Sequence, residues 1–233
     1  MNPLLLLPGM MCDGRLWAGQ VAALDDAGIA CNVGRLSPGD SVADIAAAVL
    51  AEAPSVFALA GLSMGGIVAF EIWRQARHRV SRLALLDTNP HSEQLWRREQ
   101  RNVEIESVMA GGLADVLAKD MKPRYLAETH RNNRPLRELI MSMAIELGPD
   151  VFGAQSLALR DRPDSKMTLS EIDVPTLVLC GREDDLCPLS YHLLLAESIP
   201  DADLVVLSDC GHLPPLERPE AVSQHLQSWM TRT

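Results

Sequence analysis

One pentapeptide, Gly61-Leu62-Ser63-Met64-Gly65, constrains the fold of this chain more than any other feature. It follows an apolar, strand-like run at residues 56–60 and precedes an amphipathic, helix-like run that starts at Ile67. A serine flanked by small residues at a strand-to-helix junction is typical of a very sharp turn, the nucleophile elbow. Such a turn would lift the Ser63 hydroxyl clear of a sheet and leave the Met64 N–H facing an incoming carbonyl oxygen.

Strand-like and helix-like segments alternate along most of the chain. The patterns predict strands at residues 4–7, 32–34, 56–60, 82–86, 176–180 and 204–207, and helices at 16–27, 41–53, 65–77, 189–199 and 219–230. This alternation is typical of an α/β fold in which helices flank a mostly parallel sheet. A chain of 233 residues, 47% of them apolar, is long enough to bury the core of one such domain.

Residues 89–166 break the alternation. The segment has helical periodicity and many charges, Gly111-Gly112 and Gly148-Pro149 interrupt it, and it contains no apolar strand. We therefore predict several short helices, inserted between two core strands as a small helical cap (lid) over the strand ends. The core would then comprise residues 1–88 and 167–233.

Charge and cysteine usage exclude several classes of function. The 21 basic and 31 acidic residues give a net charge of −10, which disfavours binding to nucleic acid and to anionic membranes. No apolar run approaches the roughly 18 residues of a spanning helix, and no secretion leader is evident. Five scattered cysteines without a Cys-x-x-Cys pair indicate reduced thiols, a cytoplasmic location and no metal site.

A serine hydroxyl needs a base to act as a nucleophile near neutral pH. In an open α/β sheet the reactive groups lie beyond the carboxyl ends of the strands, so loops after strands are the place to search. His212 follows the predicted strand 204–207, and Asp184 follows the predicted strand 176–180. Asp185 is equally ionisable, and Asp87 at the end of the strand 82–86 is a further alternative, expected instead to brace the turn that follows it.

Four separated motifs occur in a consistent order: Leu-Leu-Leu-Leu-Pro-Gly, Gly-Leu-Ser-Met-Gly-Gly, Val-Pro-Thr-Leu-Val-Leu-Cys-Gly-Arg-Glu-Asp and Cys-Gly-His-Leu-Pro-Pro-Leu-Glu-Arg-Pro-Glu. Together they resemble the α/β-hydrolase superfamily, in particular its small lid-bearing serine esterases and lactonases, over nearly the whole chain. The resemblance implies that Ser63 is the nucleophile, His212 the general base and then acid, and Asp184 the carboxylate that orients His212.

An oxyanion formed by attack on a carbonyl needs preorganised N–H donors. The Met64 N–H, at the start of the elbow helix, is one candidate. The second should come from the loop after the first strand, where Met10 is the positional match and Met11 stays possible. Pro8-Gly9 stands where relatives usually have His-Gly, which leaves open how that loop is braced.

These features predict a hydrolase that cleaves carboxylic esters of small to medium acyl substrates, without metal or organic cofactor. A lactonase, acting on an enol-lactone or an acyl-homoserine lactone, is the nearest alternative, and thioesterase or perhydrolase chemistry could use the same groups. A non-catalytic ligand-binding scaffold is the alternative from another class. The expected partner is a small ester or lactone, and the sequence does not indicate an oligomeric state.

Overall fold

Six parallel strands form one sheet in the part of the chain that the computed structural model describes, residues 2–37, 39–121 and 125–232. The strands are β1 (Leu4–Leu7), β2 (Cys31–Val33), β3 (Phe57–Leu62), β4 (Val80–Leu86), β5 (Thr176–Gly181) and β6 (Ala202–Leu207). Their order across the sheet is β2-β1-β3-β4-β5-β6, and every neighbouring pair is parallel. The α/β fold with a parallel sheet is therefore confirmed.

Helices connect the strands. They are α1 (Ala18–Asp26), α2 (Val42–Glu52), α3 (Met64–Ala76), α4 (Leu95–Ser107), α5 (Leu113–Val116), α6 (Arg134–Arg160), α7 (Lys166–Leu169), α8 (Leu189–Ser198), α9 (Pro214–Glu217) and α10 (Pro219–Thr231). Short 3-10 turns add to them at Gly14–Trp17, Arg77–Arg79 and Glu128–His130, and π turns at Val108–Gly112 and Leu117–Met121. The helix predicted at 16–27 thus starts as a 3-10 turn before α1.

The sheet is covered on both faces at its centre and is more open at its two edge strands, β2 and β6. Every residue of β1, β3 and β5 is buried, which explains why these strands are continuous apolar runs without alternation. The outer strand β6 is only half-buried. Pairing of Leu62 with Leu86 and of Gly181 with Leu207 brings the carboxyl ends of β3, β4, β5 and β6 to one edge of the sheet.

The segment between β4 and β5 is helical, as the sequence predicts, and residues 122–124 of it lie outside the described residues. One helical stretch is longer than the short helices that we predict, because α6 runs over 27 residues. Gly148, with φ 83°, interrupts it immediately before Pro149, so the predicted break is present within a longer element. No helix in the described ranges is long and apolar enough to cross a membrane.

Candidate active site

The turn between β3 and α3 holds Ser63 in an uncommon backbone conformation, with φ 52° and ψ −113°. Both neighbouring glycines are needed for steric reasons. A Cβ on Gly61 would overlap the carbonyl group of Gly65, and a Cβ on Gly65 would overlap the carbonyl of Leu7 and lie 2.7 Å from that of Pro8. The turn therefore packs directly against the end of β1 and presents the serine at the carboxyl edge of the sheet.

Ser63, His212 and Asp184 form a continuous chain of hydrogen bonds. The Ser63 Oγ lies 2.9 Å from His212 Nε2, and His212 Nδ1 lies 2.8 Å from Asp184 Oδ2. The other oxygen of Asp184, Oδ1, accepts N–H bonds from Leu186 (2.8 Å) and Cys187 (3.1 Å). Burial opposes ionisation of Asp184, but the charge and hydrogen bond of His212 outweigh it and hold the pKa of that carboxyl below its ordinary value.

The two other candidate carboxylates are placed differently. Asp185 is exposed, and the structure brings Asp184 to the histidine instead. Asp87, at the end of β4, is fully buried. We expected it to brace its own turn, and this is wrong, because its Oδ1 accepts the Gly181 N–H (2.9 Å) and so joins the ends of β4 and β5. The bonding partner lies 94 residues further along the chain, where local turn chemistry gives no signal of it.

A buried glutamate that the sequence reasoning missed holds the histidine loop. Glu217 accepts N–H bonds from both neighbours of His212, at 3.0 and 3.1 Å, and from Ala127 at 2.8 Å. The His212 N–H itself donates to the carbonyl oxygen of Tyr125 (2.8 Å), whose ring centroid lies 5.7 Å from that of the imidazole. The sequence feature that could have indicated this role is the position of Glu217, five residues after His212 in a segment bounded by prolines.

The loop after β1 contains the two candidate donors of the second N–H. Met11 has φ 54° and donates its N–H to Gln155 Oε1 (2.8 Å), so this N–H is occupied. Gln155, on α6, is 2% exposed and also donates from Nε2 to the Leu36 carbonyl (3.2 Å). Gln155 is therefore the brace of this loop. The sequence does not reveal it, since α6 and the loop are 144 residues apart.

The thiols near these loops are not nucleophiles in this environment. Burial raises the pKa of Cys12 and of Cys180 to about 12, and raises those of Cys187 and Cys210 as well. Cys187 Sγ lies within 4.8 Å of ligand-type atoms of Asp184 and His212, a spacing that a metal ion could bridge. A protonated thiol is a poor ligand, however, and the other two groups already bond each other, so this donor set does not suit a metal.

A buried ion-pair cluster lies in the helical segment beside the loop after β1. Glu93 bonds Arg101 at 2.7 Å and Arg162 at 2.8 Å, and all three side chains are less than a tenth exposed. Arg101 also reaches the sulfur of Met10 (3.8 Å). Burial opposes ionisation of Glu93, but its bonds to Arg162 and Arg101 keep the pKa of Glu93 below the ordinary value.

A family model described as the alpha/beta hydrolase family matches residues 4–225. The chain belongs to this family. Among the relatives of this α/β-hydrolase is a pimeloyl-acyl-carrier-protein methyl ester esterase of Aromatoleum aromaticum, 30% identical over 186 residues, which are 74% of this chain and 73% of the relative. A 3-oxoadipate enol-lactonase of Acinetobacter baylyi is 25% identical over 166 residues, which are 70% of this chain and 60% of the lactonase.

A solved structure has the same fold over almost the whole molecule. A thermophilic esterase from Thermogutta terrifontis superposes on this α/β-hydrolase with a TM-score of 0.91 and 31% sequence identity, covering 99% of this chain and 89% of the esterase. The resemblance predicted from the four sequence motifs is thus confirmed at the level of family and fold.

Proposed function

We propose that this α/β-hydrolase cleaves carboxylic esters of small to medium acyl substrates through an acyl-enzyme on Ser63. The observation that carries the proposal is the hydrogen-bond chain from Ser63 through His212 to Asp184, at 2.9 and 2.8 Å. The esterases among the relatives support the same class of substrate. Residues 89–166 would form the lid above the strand ends.

The reaction follows from the proton positions. His212 Nε2 takes the Ser63 proton as Oγ attacks the ester carbonyl carbon, and Asp184 stabilises the imidazolium that forms. The tetrahedral intermediate collapses, the C–O bond to the alcohol breaks, and His212 gives its proton to the leaving alkoxide. Water then gives a proton to His212 as its oxygen attacks the acyl carbon. The bond from that carbon to Ser63 Oγ breaks, His212 returns the proton to Oγ, and the carboxylic acid leaves.

The developing oxyanion would be held by two backbone N–H groups. The first is that of Met64, which opens α3 next to the nucleophile, where the helix dipole also favours negative charge. The second is that of Met10, because Gln155 already engages the N–H of Met11. One such donor contributes a factor of about 100 to 1,000 to kcat.

A lactone is the second candidate substrate. The enol-lactonase among the relatives favours it. The same groups would act, except that the leaving oxygen stays tethered to the acyl chain and must leave the site before water attacks. A hydrolysis screen over p-nitrophenyl esters of increasing chain length and over enol- and acyl-homoserine lactones distinguishes the two.

Ser63→Ala tests the mechanism. We expect p-nitrophenyl butyrate hydrolysis to fall by about three orders of magnitude or more, as removal of a triad nucleophile does. A fluorophosphonate probe should add mass at Ser63 and nowhere else. Asp184→Asn should cost far more activity than the matched control Asp185→Asn. Full activity in Ser63→Ala would refute the mechanism, and a folded protein without any probe adduct would favour the non-catalytic scaffold.

A further inference from the structure

The buried carboxyl group of Asp87 is not used in the mechanism above. Its Oδ1 accepts the Gly181 N–H, and its Oδ2 is buried without a hydrogen-bond donor among the described residues. Asp87 and Asp184 meet at Gly181, whose N–H donates to Asp87 Oδ1 (2.9 Å) and whose carbonyl oxygen accepts the Asp184 N–H (3.3 Å). The two carboxyl groups face each other as hydrogen-bond partners there. Two carboxyl groups can share a hydrogen bond only if one of them carries a proton.

The surroundings decide which carboxyl group is protonated. Asp184 accepts two backbone N–H bonds and the bond to His212, so three donors stabilise its negative charge. Asp87 accepts one N–H bond from protein backbone. Burial and the neighbouring Asp184 charge raise the pKa of Asp87 well above the ordinary value. The proton therefore resides on Asp87.

The other titratable groups that face Asp87 do not shift the proton from Asp87 to Asp184. Glu217 is a second carboxyl group, and its charge disfavours another anion. Three thiols lie nearby, those of Cys180, Cys187 and Cys210. They are neutral because burial raises their pKa values. His192 is neutral as well, because burial lowers its pKa to about 4, and its Nε2 accepts the Thr88 N–H next to Asp87.

The geometry points to Asp87 as a neutral carboxylic acid that donates a hydrogen bond to Asp184 and thereby positions the acid of the triad. Asp87 touches neither substrate nor the reacting atoms, so it acts through Asp184. The bond fixes the orientation of the Asp184 carboxylate and reduces its basicity. The kinetic part of this inference rests on the proposed function, whereas the location of the proton does not.

Removal of this bond has a defined electrostatic effect. Asp184 becomes more basic and stabilises the imidazolium form of His212 more strongly. Since the free enzyme needs neutral His212, the acidic limb of the kcat/KM profile moves to higher pH. A merely structural role for Asp87 would lower activity without moving this limb.

Two variants test the inference. Asp87→Asn retains an oxygen acceptor for Gly181 and an N–H donor for Asp184, and asparagine tolerates the positive φ of 40° at this position. It mimics the neutral acid, so kcat/KM and the acidic limb should stay close to wild type. Asp87→Ala removes the bond, so kcat should fall about ten- to a hundredfold with little change in KM, and the limb should move to higher pH.

The proton itself is observable without activity. Infrared spectra at neutral pH should contain the C=O band of a protonated carboxyl group, and the difference between wild type and Asp87→Asn isolates the band of Asp87. Asp185→Asn, which alters an exposed carboxylate, should leave the band and the pH profile unchanged. If Asp87→Ala does not fold, the infrared difference and Asp87→Asn still decide the question.

Three results would overturn the inference. They are the absence of the band from wild type, a loss of activity in Asp87→Asn as severe as that in Asp184→Asn, and an unchanged pH profile in an active Asp87→Ala. If Ser63→Ala kept full activity, the proposed reaction would fail, but the infrared measurement would still locate the proton.

Discussion

Gln155 offers the sharpest test of how the helical segment supports catalysis. Gln155→Leu conserves much of the volume but leaves two buried backbone groups, the Met11 N–H and the Leu36 carbonyl, without their present partner. An unsatisfied buried group costs about 1–3 kcal/mol, so the free energy of unfolding should fall by about 2–6 kcal/mol. That is a large share of the roughly 5–15 kcal/mol typical of a domain.

The same substitution should reduce activity in a characteristic way. Met10 precedes the residue that loses its anchor, and a displacement of about 1 Å in a positioned group can cost about a hundredfold in rate. We therefore expect kcat for p-nitrophenyl butyrate to fall about ten- to a hundredfold. KM should change little, because the oxyanion donor acts mainly in the transition state.

Ser156→Ala is the matched control for this experiment. Ser156 neighbours Gln155 on α6, is equally buried, and its Oγ has no hydrogen-bond partner among the described residues. Its removal should leave both stability and kcat near wild type. Urea unfolding and steady-state kinetics on the three proteins provide the comparison. If Gln155→Leu lost stability as expected but kept its kcat, the link between α6 and the oxyanion donor would be wrong.

Two further substitutions probe the elbow and the ion-pair cluster. Gly65→Ala should lower kcat about a hundredfold, because its Cβ would lie 2.7 Å from the Pro8 carbonyl oxygen and force the loop after β1 away from the nucleophile; steady-state kinetics measure this, and unchanged kinetics would refute it. Glu93→Gln should lower the free energy of unfolding by about 3–5 kcal/mol at neutral pH, since it leaves Arg101 and Arg162 without their buried anion. The pKa of Glu93 is lower in the folded than in the unfolded state, where it is about 4.3. The stabilisation by ionised Glu93 is therefore present above pH about 4.3 and is lost progressively as pH falls below it. Urea unfolding at several pH values should show that the difference in unfolding free energy between Glu93→Gln and wild type shrinks on acidification.

The fold, and the meeting of Ser63, Asp184 and His212 at one edge of the sheet, could be predicted from the sequence because both follow from local patterns. Apolar runs predicted the central strands to within one or two residues, and parallel strands must place their carboxyl ends at one edge. Ser63, Asp184 and His212 each follow such a strand. The error at β4, which begins at Val80 instead of residue 82, arises because the partly buried, polar Ser81 and Arg82 separate the buried Val80 from the apolar run that follows.

The supports of the site could not be predicted in the same way. Gln155, Glu217 and Asp87 act through contacts with residues distant in the chain, and neither periodicity nor turn chemistry encodes such partners. Met11 illustrates the same limit on a smaller scale. Its positive φ, which turns its N–H towards Gln155, occurs in a residue type that gives no warning of a left-handed conformation.

His212 follows β6, which is one of the two edge strands of the described sheet and is only half-buried. Backbone hydrogen bonds at such an edge exchange with solvent through small local openings, which need far less free energy than opening the central strands. Each opening of β6 would carry His212 away from Ser63, which α3 and β3 still hold in place. Loss of activity on heating would then report fraying of one edge strand, at temperatures where the rest of the molecule is still folded.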